Sequence, residues 1–237
     1  MSWLMLHGFT GSPASFARLA LPRCAVAPTL GGHVAEPASA DFWAEVERLA
    51  ALTPAATELF GYSLGSRLSL GLLARYPERF DHAVLVSAHP GLRTDAERAQ
   101  RRTDDDRFVR LLRERGLVEF VSAWEEQPLW QTQRALPNQA RAGRHRERLT
   151  HTAEGLARSL SSVGLGQMPD LRASLARSDC SVDFLAGGQD SKFLMLAQEL
   201  CSIMPRARLR VAENAGHDLV LERPQFCSDF LTQGLSI

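Results

Sequence analysis

A serine held between two glycines, in the run Gly61-Tyr62-Ser63-Leu64-Gly65, is the pattern in this chain best suited to covalent or acid–base chemistry. A serine alcohol is a poor nucleophile and a poor base until a neighbouring imidazole accepts its proton. The imidazole in turn needs a carboxylate that orients it and stabilises its cation. Gly216-His217-Asp218 supplies a late histidine in a loop, and Gly187-Gly188-Gln189-Asp190 supplies an acid between the two. The order serine, acid, histidine suits groups carried on the strand ends of one parallel sheet. Ser63, Asp190 and His217 are therefore the expected catalytic triad. Two other acids compete for the middle role. Asp183 falls inside an apolar run that reads as a strand, and Asp218 is adjacent to the histidine, where it is badly placed to orient the ring.

Negative charge developing on a reacting oxygen needs donors aimed at it, commonly two backbone N–H groups. One is expected from Leu64, the residue after the serine. The other is expected from the loop Leu6-His7-Gly8-Phe9, where Gly8 lets the chain pass close to the site and Phe9 is the donor. His7 reads as a packed residue that braces this loop rather than as a second base.

Such residues must be carried by regular elements, and the apolar spacing supplies them. Trp3 to Leu6, Cys24 to Ala27, Thr57 to Phe60, His82 to Val86, Val182 to Ala186 and Ala207 to Val211 read as strands. Helical spacing covers Ser39 to Leu52, Leu64 to Arg75, Phe193 to Ile203 and Pro224 to Leu231, and Ser12-Pro13 offers a further helix start. Alternating strands and helices argue a mostly parallel central sheet flanked by helices. The alternation stops between residues 92 and 166. That stretch is helical in period and holds fourteen arginines against eleven acidic residues. It reads as a helical cap inserted after the strand ending near Ser87. The expected organisation is core 1–91, cap 92–166 and core 167–237, within one α/β domain.

Composition narrows the function classes. Across 237 residues the formal net charge is zero, so nothing draws the whole molecule to nucleic acid or to an acidic membrane surface. Lys192 is the sole lysine, and arginine carries the remaining positive charge. The four cysteines form no C-x-x-C pair and no metal-ligand spacing, so they read as reduced. The first residues lack a basic segment followed by a long apolar one, and no window is long enough to span a bilayer, so a cytoplasmic enzyme is expected.

The chain resembles a known family. Leu6-His7-Gly8-Phe9-Thr10-Gly11 and Gly61-Tyr62-Ser63-Leu64-Gly65-Ser66-Arg67 are similar to the α/β-hydrolase branch that includes the 2-succinyl-6-hydroxy-2,4-cyclohexadiene-1-carboxylate synthases of menaquinone biosynthesis. Ser87-Ala88-His89-Pro90-Gly91-Leu92, Trp124-Glu125-Glu126-Gln127-Pro128-Leu129, Gln167-Met168-Pro169-Asp170-Leu171 and Asp190-Ser191-Lys192-Phe193 extend the likeness over nearly the whole chain. The resemblance implies an α/β-hydrolase fold and a lyase that eliminates pyruvate, with serine acting as base and with no metal or organic cofactor. It also implies a small polyanionic carboxylate substrate, with Tyr62, Arg67, Arg101, Trp124 and Arg148 on substrate-contact positions. Two rival readings remain. A carboxylesterase, thioesterase or carbon–carbon hydrolase would use the same triad, and a non-catalytic binding module could keep the fold.

Overall fold

Short apolar runs recur along the chain, and they become strands because both their faces are covered by helices. In the computed structural model, which describes residues 2–232, six strands form one sheet. They are β1 (Trp3–Leu6), β2 (Ala25–Val26), β3 (Glu58–Tyr62), β4 (His82–Val86), β5 (Ser181–Gly187) and β6 (Ala207–Ala212). The helices are α1 (Phe42–Leu52), α2 (Leu64–Arg75), α3 (Asp95–Glu125), α4 (Asn138–Arg148), α5 (Ala153–Val163), α6 (Arg172–Leu175), α7 (Ser191–Ile203), α8 (Leu219–Glu222) and α9 (Pro224–Thr232). Residues 1 and 233–237 of the expected core segments lie outside the described residues.

The strand order is β2-β1-β3-β4-β5-β6, and every pairing is parallel. Alternate residues serve two apolar layers, as the period of a strand requires. Leu4, Leu6, Leu59, Ala83 and Leu85 pack with α1, α2 and α7 on one face, whereas Trp3, Met5, Phe60, Val84 and Val86 pack with α8 and α9 on the other. The chain moves outward from β1 to β2, then returns to place β3 on the other side of β1. That reversal opens a crevice at the carboxyl ends of β1 and β3, where open α/β sheets bind their ligands. The loop bearing Phe9 and the turn bearing Ser63 both lie there.

Helices α3, α4 and α5 lie between β4 and β5 in sequence. Val109, Leu112, Phe120, Val121, Trp124, Trp130, Leu156, Ala157 and Leu160 form a separate apolar cluster, against which Phe9 of the sheet portion packs. Two local features differ from the sequence pattern. The start at Ser12-Pro13 gives only a 3-10 turn, Pro13–Phe16, because the Ser12 and Ser15 hydroxyls are engaged by Glu147 of α4. Helix α3 breaks at Gly116, whose φ of 83° lies in the left-handed region that favours glycine.

Three imidazoles knit the β1 loop to the segment between α4 and α5. His7 donates from Nδ1 to the Gly8 carbonyl and accepts the Leu30 N–H at Nε2. His33 donates to the Gly31 carbonyl and accepts the Thr10 N–H. His151, between α4 and α5, accepts the Val34 N–H and donates to the Thr10 carbonyl. Each ring uses one nitrogen as donor and the other as acceptor, which only the neutral form can do. Burial is the largest influence on His7 and lowers its pKa to about 4. Burial also holds His33 well below its ordinary value and lowers His151.

An unfolded chain takes up protons at these imidazoles near pH 6.5, while the folded protein does not. Their contribution to stability is therefore complete above that pH and is lost as pH falls toward the folded value. At pH 5 the loss is about 2 kcal/mol for an imidazole held like His7. Urea unfolding at pH 7.5 and pH 5 measures it. A clear fall in midpoint at pH 5 is expected, and equal midpoints contradict the neutral network.

Candidate active site

The serine sits on a turn that only a particular local sequence permits. Ser63 has φ 51° and ψ −104°, between the end of β3 and the first residue of α2. A side chain at position 61 would bring its Cβ within 2.7 Å of Ser66 Cα, and one at position 65 within 1.9 Å of the Leu6 carbonyl oxygen. Both positions are thus closed to any residue but glycine. The Ser63 N–H donates to the Val86 carbonyl at 2.9 Å, which pins the turn to β4.

The structure brings Ser63, Asp190 and His217 together. The Ser63 hydroxyl lies 3.0 Å from His217 Nε2, and His217 Nδ1 lies 2.8 Å from Asp190 Oδ2. The carboxylate fixes the tautomer, so Nδ1 donates to Asp190 and Nε2 is free to accept the serine proton. The other oxygen of Asp190 caps α7 by accepting the Phe193 N–H at 3.3 Å. The competing acids are engaged elsewhere. Asp183 accepts from Arg210 Nε at 2.9 Å and lies 3.2 Å from His82 Nε2. Asp218 pairs with Arg144 at 3.0 Å and caps α8 through the Leu221 N–H.

A cavity of about 380 Å³ opens onto the serine. Phe9, Leu64, Tyr62, Arg67, Arg101 and Trp124 line it. Leu64 is the first residue of α2, so its N–H is among those a helix leaves unpaired at its start. Gly8 passes so close to Tyr62 that a Cβ would meet the phenol ring at 2.7 Å, which brings the Phe9 segment over the serine turn. Aromatic rings form much of the remaining wall. Phe193 and Trp130 lie 4.4 and 5.6 Å from the His217 ring, and Phe9 lies 5.3 Å from Trp124. The indole N–H groups of Trp124 and Trp130 are buried without a protein partner.

Charge in the cavity is lopsided. Arg67 is half-buried and donates to the Val163 carbonyl, and that burial together with neighbouring Arg101 lowers its pKa to about 9. Lys192 also lines the cavity, and its pKa is lowered by burial and then by Arg101. Arg101 pairs with Asp105, whose second carboxylate oxygen has no partner and whose pKa burial raises. His89 stands beside them with a pKa of about 3, lowered by burial and then by Lys192 and the arginines, and accepts the Gly91 N–H. It is therefore neutral. Arg67 and Lys192, each disfavoured by the neighbouring Arg101 charge, stand to gain from an incoming anion.

Arg148 is placed differently from the other resemblance-derived positions. It does not line the cavity. Its guanidinium stacks over Trp130 at 5.2 Å and pairs with Glu125 at 2.7 Å, so the indole stands between it and the serine. Two residues that the sequence reading did not single out for the site belong to it. Lys192 had a visible signal, being the sole lysine and lying two residues after the acid. Ser87, with φ 52°, donates to the His217 carbonyl at 2.8 Å and so fixes the histidine loop. Its signal is its position at the end of the strand beside β3. Among the described residues, no group of three or more His, Cys, Asp or Glu side chains is placed to hold a metal ion. No described helix is long and apolar enough to cross a membrane.

A parallel sheet carrying a serine on a strained strand–helix turn, with histidine and acid on later strand ends, places the chain in a class. It belongs to the alpha/beta hydrolase family, whose sequence profile matches residues 3–230. Within that family it belongs with the 2-succinyl-6-hydroxy-2,4-cyclohexadiene-1-carboxylate synthases. It is 32% identical over 247 residues to the protein of that name from Salmonella typhimurium, covering 100% of this chain and 94% of the relative. A Bacillus subtilis protein that carries the same name provisionally is 33% identical over 243 residues, covering 96% and 89% of the two chains. The solved structure of MenH from S. aureus superposes with a TM-score of 0.89 at 26% identity, covering 97% of this chain and 92% of that one.

Ser63→Ala is expected to fold normally and to lose activity by a factor on the order of a thousand or more. Asp190→Asn should be comparably severe, because it leaves the imidazole without its orienting acceptor. Turnover and circular dichroism of the purified variants check both. Damage from Asp183→Asn in place of Asp190→Asn would reassign the acid.

Proposed function

We propose that the protein eliminates pyruvate from 2-succinyl-5-enolpyruvyl-6-hydroxy-3-cyclohexene-1-carboxylate to give 2-succinyl-6-hydroxy-2,4-cyclohexadiene-1-carboxylate. The observation that carries this reading is the cluster of Arg67, Arg101 and Lys192 in the cavity that opens onto Ser63, with Asp105 the acid paired to one of them. A substrate with several carboxylates supplies the missing negative charge, and the guanidinium fork suits carboxylate geometry. The Trp124 and Trp130 indole N–H groups offer further donors to the same ligand. A neutral ester would leave these cations uncompensated.

In this reading His217, oriented by Asp190, accepts the serine proton, and the Ser63 oxygen removes a proton from the substrate ring. The C–H electron pair becomes the new ring double bond, and the C–O bond to the enolpyruvyl group breaks. The imidazolium returns its proton to the departing oxygen, and the enol becomes pyruvate. Charge that builds on a substrate oxygen is met by the Leu64 and Phe9 N–H groups. The helical stretch 92–166 serves as a cap that supplies Arg101 and Trp124 and keeps water from the cavity. The four unpaired cysteines support a reducing, cytoplasmic setting.

Replacing Arg67 or Arg101 by alanine should depress pyruvate release by roughly one to three orders of magnitude. Hydrolysis of a small neutral ester such as p-nitrophenyl acetate should change little, since it needs only the triad and the backbone donors. The two assays are run side by side on wild type and variants. Equal losses would make these arginines supports of the fold, and brisk ester cleavage without pyruvate from the wild type would overturn the lyase reading.

A further inference from the structure

One helix of the cap reaches both catalytic loops. Arg144 and Glu147 are three residues apart on α4, so their side chains leave the same face. Glu147 Oε1 accepts the Ser12 N–H at 2.9 Å, the Ser12 hydroxyl at 2.7 Å and the Ser15 hydroxyl. These groups lie just beyond Phe9, in the loop that follows β1. Arg144 donates to Glu147 Oε2 at 2.6 Å and to the Ser15 hydroxyl at 2.8 Å. Its other terminal nitrogen lies 3.0 Å from Asp218 Oδ2, and Asp218 directly follows His217. A second cap element holds the same histidine loop. Thr132 donates to Glu222 Oε1 at 3.0 Å, and Glu222 Oε2 accepts the Gly216 N–H at 2.8 Å. Gly216 lies so near Thr132 that a Cβ would stand 2.2 Å from its hydroxyl oxygen.

Arg144 and Asp218 have side chains only 6% and 1% exposed, so water neither screens nor replaces their contact. Neither Arg144 nor Glu147 lines the cavity at Ser63. Each loop also has its own local cap. Ser12 accepts the Ala14 N–H, and Asp218 accepts the Leu221 N–H. The loops can therefore form without α4, and they also meet through the apolar packing of Phe16 with Leu219 and Val220; the chain Asp218–Arg144–Glu147–Ser12 adds a polar tie between them that runs through α4.

We propose that Arg144 and Glu147 are positioning residues for catalysis. They clasp the loop carrying the Phe9 donor to the loop carrying His217, so the spacing between oxyanion donor and base is set by the docked cap. The proposal rests on the triad chemistry above and not on the identity of the substrate.

The test uses Glu147→Gln, which keeps shape and removes charge, and Arg144→Met, which keeps the aliphatic stem. Pyruvate release and p-nitrophenyl acetate hydrolysis are measured with each full-length variant, together with circular dichroism. Because misplacement by an ångström can cost about a hundredfold, kcat for both reactions should fall by about that factor, with KM nearly unchanged. Arg144→Lys should recover part of the loss, since an ammonium still faces Asp218 and Glu147. If Arg144→Met does not fold, Glu147→Gln and Ser12→Ala carry the measurement. Unchanged kcat in folded variants overturns the proposal, as does a loss confined to pyruvate release or to KM. The ester assay keeps this outcome separate from any failure of the lyase reading.

Discussion

The start of α2 rests against the end of β1 with no room for a side chain between them: a Cβ at residue 65 would stand 1.9 Å from the Leu6 carbonyl oxygen. That approach governs the site. It puts the first turn of α2, and so the Leu64 N–H, beside the loop that leads to Phe9. It also forces the chain between β3 and α2 into the positive φ of Ser63, a conformation worth roughly 1–3 kcal/mol of strain for a residue other than glycine. Hydrogen bonds of the Ser63 N–H and the Ser66 hydroxyl to the Val86 carbonyl offset part of that strain. The serine is therefore aimed by packing between backbone segments rather than by its own side-chain contacts.

Two charge clusters flank the triad, one partly exposed in the cavity and one buried behind it. The one in the cavity, built on Arg67, Arg101 and Lys192, is short of negative charge and open to a ligand. The one behind it sets Arg144 between the carboxylates of Glu147 and Asp218, so its cation is paired within the protein. Its carboxylates favour the Arg144 cation, whose pKa is raised despite burial. Tyr62 lines the cavity and feels Asp218 and Arg144 electrostatically, and burial keeps its phenol protonated. Cations in excess face the cavity on one side, while on the other a paired cation joins two loops.

Much of this architecture was legible in the residues because it is local. Strand runs show as apolar segments, and helix α2 spans Leu64–Arg75, the stretch its spacing suggests, since Gly65 opens it and Tyr76-Pro77 stops it. Preferring Asp190 over Asp183 needed only the difference between a strand end and a strand interior. The unread features depend on residues far apart in sequence. No pattern near Arg148 announces that Trp130 will stand between it and the cavity or that Glu125 will hold it. The neutral triangle of His7, His33 and His151 joins three segments whose proximity only the fold creates. The break at Gly116 is an isolated glycine in a helical pattern, where spacing alone does not distinguish tolerance from a reversal of φ.

The placement of α3, α4 and α5 between two neighbouring strands also bears on when the molecule becomes active. β4 and β5 pair residue for residue, Leu85 with Phe184 for example, across the whole intervening helical stretch. The Ser63–His217 contact joins residues 154 positions apart, and the Ser12–Glu147 contact joins residues 135 positions apart. Contacts of such sequence separation form late, because loop closure must precede their reward. During synthesis the serine turn leaves the ribosome long before its base does. A nascent chain therefore carries an unassisted alcohol until the last strand is seated and His217 reaches it.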